Sequence, residues 1–239
     1  MKKFINNFKI LFLLLCLTGG ELYASTEETL VAERDSCAAV ASGSASTSWY
    51  LSKELMETVF EASAKDGTLL NIRKIKEEDI TEDFIAKAYA NDPTDPMDQL
   101  AVEELPTIAQ ERAALEDYNK SEVEGFPLGI FNSRTNECLG FLSLRVGRKL
   151  PHSIELSIKI CSSEKRGMGI GTSVMGALTA YLTRTIELHP EWDVQNFEGS
   201  INADNTASLA MVRKFGGQVS EEKVDGRFFY SFSLKRHAG

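Results

Sequence analysis

Histidine and cysteine are too scarce and too scattered in this 239-residue chain to suggest a metal centre. His152, His189 and His237 stand singly, and no Cys-x-x-Cys pair accompanies them, so no metal site is expected. Basic side chains are also in deficit. The 26 Lys and Arg face 35 Asp and Glu for a formal charge of -9, which argues against a nucleic-acid partner held by phosphate attraction. The surplus suits a basic amine, although acidic residues commonly just solubilise a surface. No segment repeats with a period of about 20 to 50 residues, which excludes a solenoid. The 43% hydrophobic content excludes a disordered chain and permits one large domain, with or without an appendage.

The amino terminus stands apart. Lys2, Lys3 and Lys9 precede the apolar run Ile10 to Leu17, and Ala24-Ser25 supplies a small-residue cleavage site, so residues 1 to 24 read as a secretory signal peptide. The run is shorter than the roughly 20 residues a bilayer helix needs, so no stable span is expected after cleavage. Leu15 before Cys16 disfavours lipidation, and an uncleaved anchor is the alternative. The expected product is exported, with Cys37, Cys138 and Cys161 remaining, an odd number. Residues 25 to 65 read as a flexible Ser- and Ala-rich segment plus a short helix, which runs from Trp49 to Ala64 on the spacing of Leu51, Leu55, Val59 and Phe60.

Beyond Asp66-Gly67 the pattern becomes that of a mixed fold. Thr68 to Ile75 alternates as a strand, and helices follow around Ile80 to Ala88 and from Val102 to Tyr118, with Pro106 in the first turns of the second. Three hairpin-connected strands come next, at 126 to 131, 138 to 146 and 153 to 161. A helix at 169 to 186, a strand at 197 to 201, a helix at 206 to 215 and strands at 217 to 222 and 227 to 235 complete the order. Runs of this kind point to an α/β (α+β) class with a mixed sheet.

The strongest chemical signal is Arg166-Gly167-Met168-Gly169-Ile170-Gly171-Thr172, between a strand and an amphipathic helix. A pyrophosphate needs converging backbone N–H groups at the positive end of a helix, and glycines remove side chains that would block the approach. No Gly-x-Gly-x-x-Gly occurs and no Gly-Lys-Ser/Thr ending follows, which excludes dinucleotide and nucleoside-triphosphate loops. A ligand-free tight turn is the remaining alternative.

Arg166, Gly169 and Gly171 match the loop of the GCN5-related N-acetyltransferase (GNAT) superfamily. The run from Asn202 to Gly217 resembles that family's Asn-x-x-Ser helix with its Lys-hydrophobic-Gly ending. Over residues 66 to 236 the chain is similar to the branch that includes ribosomal-protein alanine N-acetyltransferases. The resemblance implies a mostly antiparallel sheet flanked by helices and splayed between its fourth and fifth strands. It implies acetyl-CoA as co-substrate and an amine acceptor, a protein or peptide included. The loop from Arg166 to Thr172 would hold the pyrophosphate, the backbone of Ile158, Lys159 and Ile160 the pantetheine, and Asn205 and Ser208 would lie near the arm. Asn205 would equally serve as a helix cap.

Transfer also needs a group to take the amine proton. Glu155, on the fourth strand where family members often carry a carboxylate, is the candidate base, with a solvent-facing strand glutamate as the alternative. Many members place a tyrosine on the last helix as the acid, and this chain has Val212 there. Tyr181 and Tyr230 are read as core packing, so either solvent is the acid or the domain binds CoA without efficient turnover. A hairpin closed between 149 and 150 would set Cys138 opposite Cys161, where a disulfide or two buried thiols could stand. Nothing in the sequence indicates the oligomeric state.

Overall fold

The computed structural model describes residues 58–89, 105–120, 125–146, 149–150, 152, 153–161, 163–188, 194–224 and 226–234. The expected signal peptide and most of the flexible segment lie outside these residues. The elements are β1 (Phe60–Ser63), β2 (Leu69–Lys74), α1 (Glu82–Ala88), α2 (Ile108–Lys120), β3 (Gly125–Asn132), β4 (Cys138–Val146), β5 (Ser153–Ile160), α3 (Ile170–Leu188), β6 (Asn196–Asn202), α4 (Thr206–Lys214), β7 (Gln218–Val224) and β8 (Arg227–Ser233). The strands form one eight-stranded sheet in the order β1-β2-β3-β4-β5-β6-β8-β7. Every neighbouring pair is antiparallel except β5 and β6, which α3 connects in parallel.

Alternation along the strands builds a core on each face. Ile154 and Leu156 of β5 and Leu142 and Leu144 of β4 pack with Val174, Leu178 and Leu182 of α3 and Leu209 and Val212 of α4. On the other face Phe131, Phe141 and Cys161 pack with Phe84, Ile85 and Ala88 of α1, joined by Ile108 and Leu115 of α2. Local chemistry fixes where the short helices begin. Thr81 caps α1 by accepting from the Phe84 N–H, with Glu82 and Asp83 in the first turn and Lys87 in the last.

Three expectations are corrected. Phe60–Ser63, assigned to the end of a helix from Trp49 to Ala64, is a strand paired with β2 through Phe60↔Ile72 and Ser63↔Leu69. Phe60 is buried with its ring against that of Tyr181, centroids 4.4 Å apart, and the sheet edge overrides the four-residue spacing that suggested a helix. Residues 49 to 57 lie outside the described residues. The second helix begins at Ile108, after Pro106 rather than around it, as a residue without an N–H and with a restricted predecessor favours. Finally, the β4–β5 register sets Gly140 opposite Ile160, one residue from the alignment that would face Cys138 to Cys161, which corrects the expected register, while the two cysteines are the buried thiols of the other expectation, with no disulfide between them.

Candidate functional site

β5 and β6 start side by side and then part. Their pairing covers Ser153↔Asn196, Ile154↔Phe197 and Glu155↔Glu198, while β5 stays joined to β4 as far as Ile160. Alternate residues of an antiparallel strand turn both backbone groups toward the same neighbour. Leu156 and Ile160 belong to the set that faces the gap: the Leu156 carbonyl accepts the Tyr230 hydroxyl at 3.0 Å, and the Ile160 carbonyl accepts Arg166 Nε at 3.3 Å. Ile158, midway between them, therefore presents its N–H and C=O to a space that β6 has vacated. An extended chain bearing amides could add there as a strand would.

The glycine loop stands at the open end of this gap. Ser173 N–H donates to the Gly169 carbonyl, so the helix starts at Ile170 and the N–H groups of Ile170, Gly171 and Thr172 have no acceptor within it. Gly169 has φ +80°, a conformation that side chains resist, and a Cβ on it would lie 3.0 Å from Lys65 Cγ. Gly171 has no such constraint, since a Cβ there would make ordinary contact with Met211 Sδ at 3.5 Å. Glycine at 171 is thus required neither by the backbone conformation nor by a clash with α4.

A cleft of about 690 Å³ runs from the loop to the point where the strands diverge. Ile158, Lys159, Ile160, Arg166, Gly167, Gly169, Ile170, Gly171, Thr172, Asn205 and Ser208 all line it. Met168 does not; its carbonyl accepts the Lys65 N–H at 3.2 Å, tying the β1–β2 turn to the loop. Asn205 serves as the α4 cap, its Oδ1 accepting from the Ser208 N–H at 3.0 Å, and it lines the cleft as well.

Glu155 lies outside the cleft lining. It is 8% exposed, in register with Glu198, and by alternation it points away from Ile154 and Leu156, toward the α1 and α2 face of the sheet. It is therefore not the solvent-facing strand residue that its polarity allowed. Its neighbour Glu198 is 1% exposed and accepts the N–H groups of Lys149 and Leu150 at 2.9 and 2.8 Å, holding the turn before β5.

Sequence reasoning missed three participants. Lys65 and Lys165 line the cleft beside Arg166, and Lys65 comes from a stretch read as linker and helix. Tyr230, read as packing alone, is buried and also lines the cleft. Its partner is 74 residues away in sequence, which no local pattern could reveal. Burial, then the charges of Glu155 and Glu198, push its pKa well above the usual tyrosine value and keep the hydroxyl neutral. Val212 is fully buried and supplies no proton. Tyr181 does pack, with its hydroxyl 3.3 Å from Thr58 Oγ1.

A family model described as "Acetyltransferase (GNAT) domain" matches residues 70–218. No curated protein matches the chain in sequence. Among solved structures, the fold is similar to Mycobacterium smegmatis RimJ in complex with CoA-disulfide, at 14% identity and TM-score 0.53 over 74% of this chain and 88% of that one. It is similar also to a probable acetyltransferase, at 18% identity and TM-score 0.53 over 69% and 92%. A third is apo FdhC, a nucleotide-linked sugar GNAT, at 17% identity and TM-score 0.50 over 74% and 91%.

Proposed function

From the premise that this chain, matched over more than half its length by the GNAT model, belongs to that family of acetyltransferases, we propose that it moves an acetyl group from acetyl-CoA to a primary amine. The acceptor class is a protein N-terminus, a lysine or a small amine. The observation that carries this reading is the gap between β5 and β6, where the backbone of Ile158 faces a vacated strand position and the orphan N–H groups of Ile170 to Thr172 stand at the mouth. Pantetheine bears amides that suit the first, and a pyrophosphate suits the second. Lys65, Lys165 and Arg166 add positive charge around the loop, against the acidic balance of the whole chain.

In the proposed reaction the acceptor nitrogen attacks the thioester carbonyl, the C–S bond breaks, and the sulfur leaves as CoA thiol. The amine gives up one proton and the thiolate takes one. Glu155, beside the divergence on the α1 and α2 face, is the proposed acceptor of the amine proton, directly or through water. Asn205 and Ser208 are proposed to border the arm.

Two further readings accompany this one. The buried Val212 at the position where relatives often carry a tyrosine favours a module that binds CoA and turns over slowly. The signal-like residues 1 to 24 favour export, in which case the enzyme would meet its donor in another cell's cytoplasm, as an effector does.

Thermal shift with acetyl-CoA, followed by thiol release on offering a panel of amines, tests the proposal. Stabilisation with amine-dependent thiol release is expected. Stabilisation without release would favour the binding module, and a folded protein that acetyl-CoA does not stabilise would overturn both. Gly169→Val, forced into a backbone conformation costing about 1 to 3 kcal/mol, should abolish the shift while leaving the protein folded.

A further inference from the structure

The inner end of the cleft is closed by a side chain rather than by the sheet itself. Beyond Glu155 and Glu198 the strands no longer pair, yet the space at the divergence is filled from the other side of β6. Tyr230 sits on β8 opposite Gly199 of β6. A Cβ on Gly199 would lie 2.6 Å from the Tyr230 oxygen and 2.7 Å from its ring, so the aromatic side chain lies directly across the missing side chain. From there the hydroxyl reaches the Leu156 carbonyl, the first on β5 past the paired residues to face the gap, at 3.0 Å.

Three contacts make this side chain a fixed wall. Gly199 gives it a floor, the hydrogen bond to Leu156 anchors its tip, and Phe232 stacks beside it with ring planes 11° apart and centroids at 6.5 Å. Phe232 is backed in turn by Phe197 at 4.9 Å. Tyr230 is 4% exposed, and the little surface it keeps borders the cleft. A close-packed wall of this kind does not yield to an added methylene at low cost.

Resting on the acyl-CoA reading above, we propose that Tyr230 is the specificity-determining residue for the acyl group: its ring, laid over Gly199 and anchored on Leu156, ends the cleft where the acyl chain points. The site accepts acetyl and excludes longer straight chains. The restriction comes from the ring and not from the hydroxyl's chemistry, since the neutral hydroxyl is already donated to a backbone carbonyl. Gly199 takes part indirectly, because only a residue without a side chain lets the ring lie so low.

Isothermal titration of the full chain with CoA, acetyl-CoA, butyryl-CoA and hexanoyl-CoA tests this without needing the acceptor amine. The wild type should bind CoA and acetyl-CoA comparably and butyryl-CoA about tenfold or more weakly. Tyr230→Phe keeps the ring and should keep that ranking. Tyr230→Ala should bind butyryl- and hexanoyl-CoA about as well as acetyl-CoA. Tyr230→Leu, which retains apolar bulk near the backbone but shortens the wall, carries the same expectation if the alanine variant does not fold. Equal binding of all chain lengths by the wild type would overturn the proposal, as would discrimination that survives in Tyr230→Ala or Tyr230→Leu. A folded wild type that binds none of the four would instead overturn the acyl-CoA reading.

Discussion

Lys65 lies against Gly169: its Cγ stands 3.0 Å from the position a Cβ would take there, and its backbone N–H is bonded to the neighbouring Met168 carbonyl. The turn between β1 and β2 is therefore a wall of the glycine loop, although it precedes the residues matched by the family model. The stem of this exposed side chain packs against Gly169, and the residue lines the cleft.

Replacing Lys65 by Met separates these contributions, because the stem remains and the charge goes. Acetyl-CoA affinity should fall about 3- to 10-fold at low salt, and the difference should shrink as added salt screens an exposed charge. Thermal stability without ligand should stay the same. Titration at two ionic strengths checks this, and unchanged low-salt affinity would reduce Lys65 to a steric wall.

Arg73 and Asp79 tie β2 to the turn before α1. The guanidinium donates to both carboxylate oxygens at 2.6 and 2.8 Å and lies 3.9 Å above the Phe131 ring. Burial opposes the charge on Asp79, but the bonds from Arg73 and the Lys76 N–H outweigh it and hold the pKa below the ordinary 3.8. A depressed carboxylate pKa contributes stability that is complete above the unfolded value and is lost as pH falls through the folded one. Asp79→Asn should therefore cost about 1 to 3 kcal/mol at neutral pH and flatten the loss of stability below about pH 4. Urea unfolding of both proteins across that range measures it, and equal slopes would show that the pair is not responsible.

Cys138 and Cys161 lie in the apolar layer under α1, and burial, followed by the proximity of the second thiol, pushes the Cys138 pKa well above the ordinary thiol value. Both should resist alkylation in the native protein and react about 100-fold or more faster in denaturant. Peptide mapping after iodoacetamide distinguishes them from the cysteines nearer the amino terminus. Rapid native labelling of either would contradict the packing.

The glycine loop was legible in sequence because its chemistry is local: an orphan N–H cluster needs a helix start and small residues, and both are written within a few positions. Asn205 was legible for the same reason, as a cap acts three residues away. The helix expected through Phe60 failed because a four-residue spacing of apolar side chains also suits a short edge strand, and only pairing with β2 decides between them. The register of Cys138 and Cys161 depended on how the β4–β5 turn closes, where a one-residue difference moves every facing pair.

The sequence by itself determined the order of elements from β2 onward, the mixed sheet and the glycine loop at a helix start, since periodicity, turn residues and helix starts are properties of short stretches. Tertiary structure alone decided that Lys65 walls the loop, that Glu155 is buried beside Glu198, and that Tyr230 ends the cleft over Gly199. Each of these joins strands distant in the chain. Their contacts follow from which strands pair and where the pairing stops.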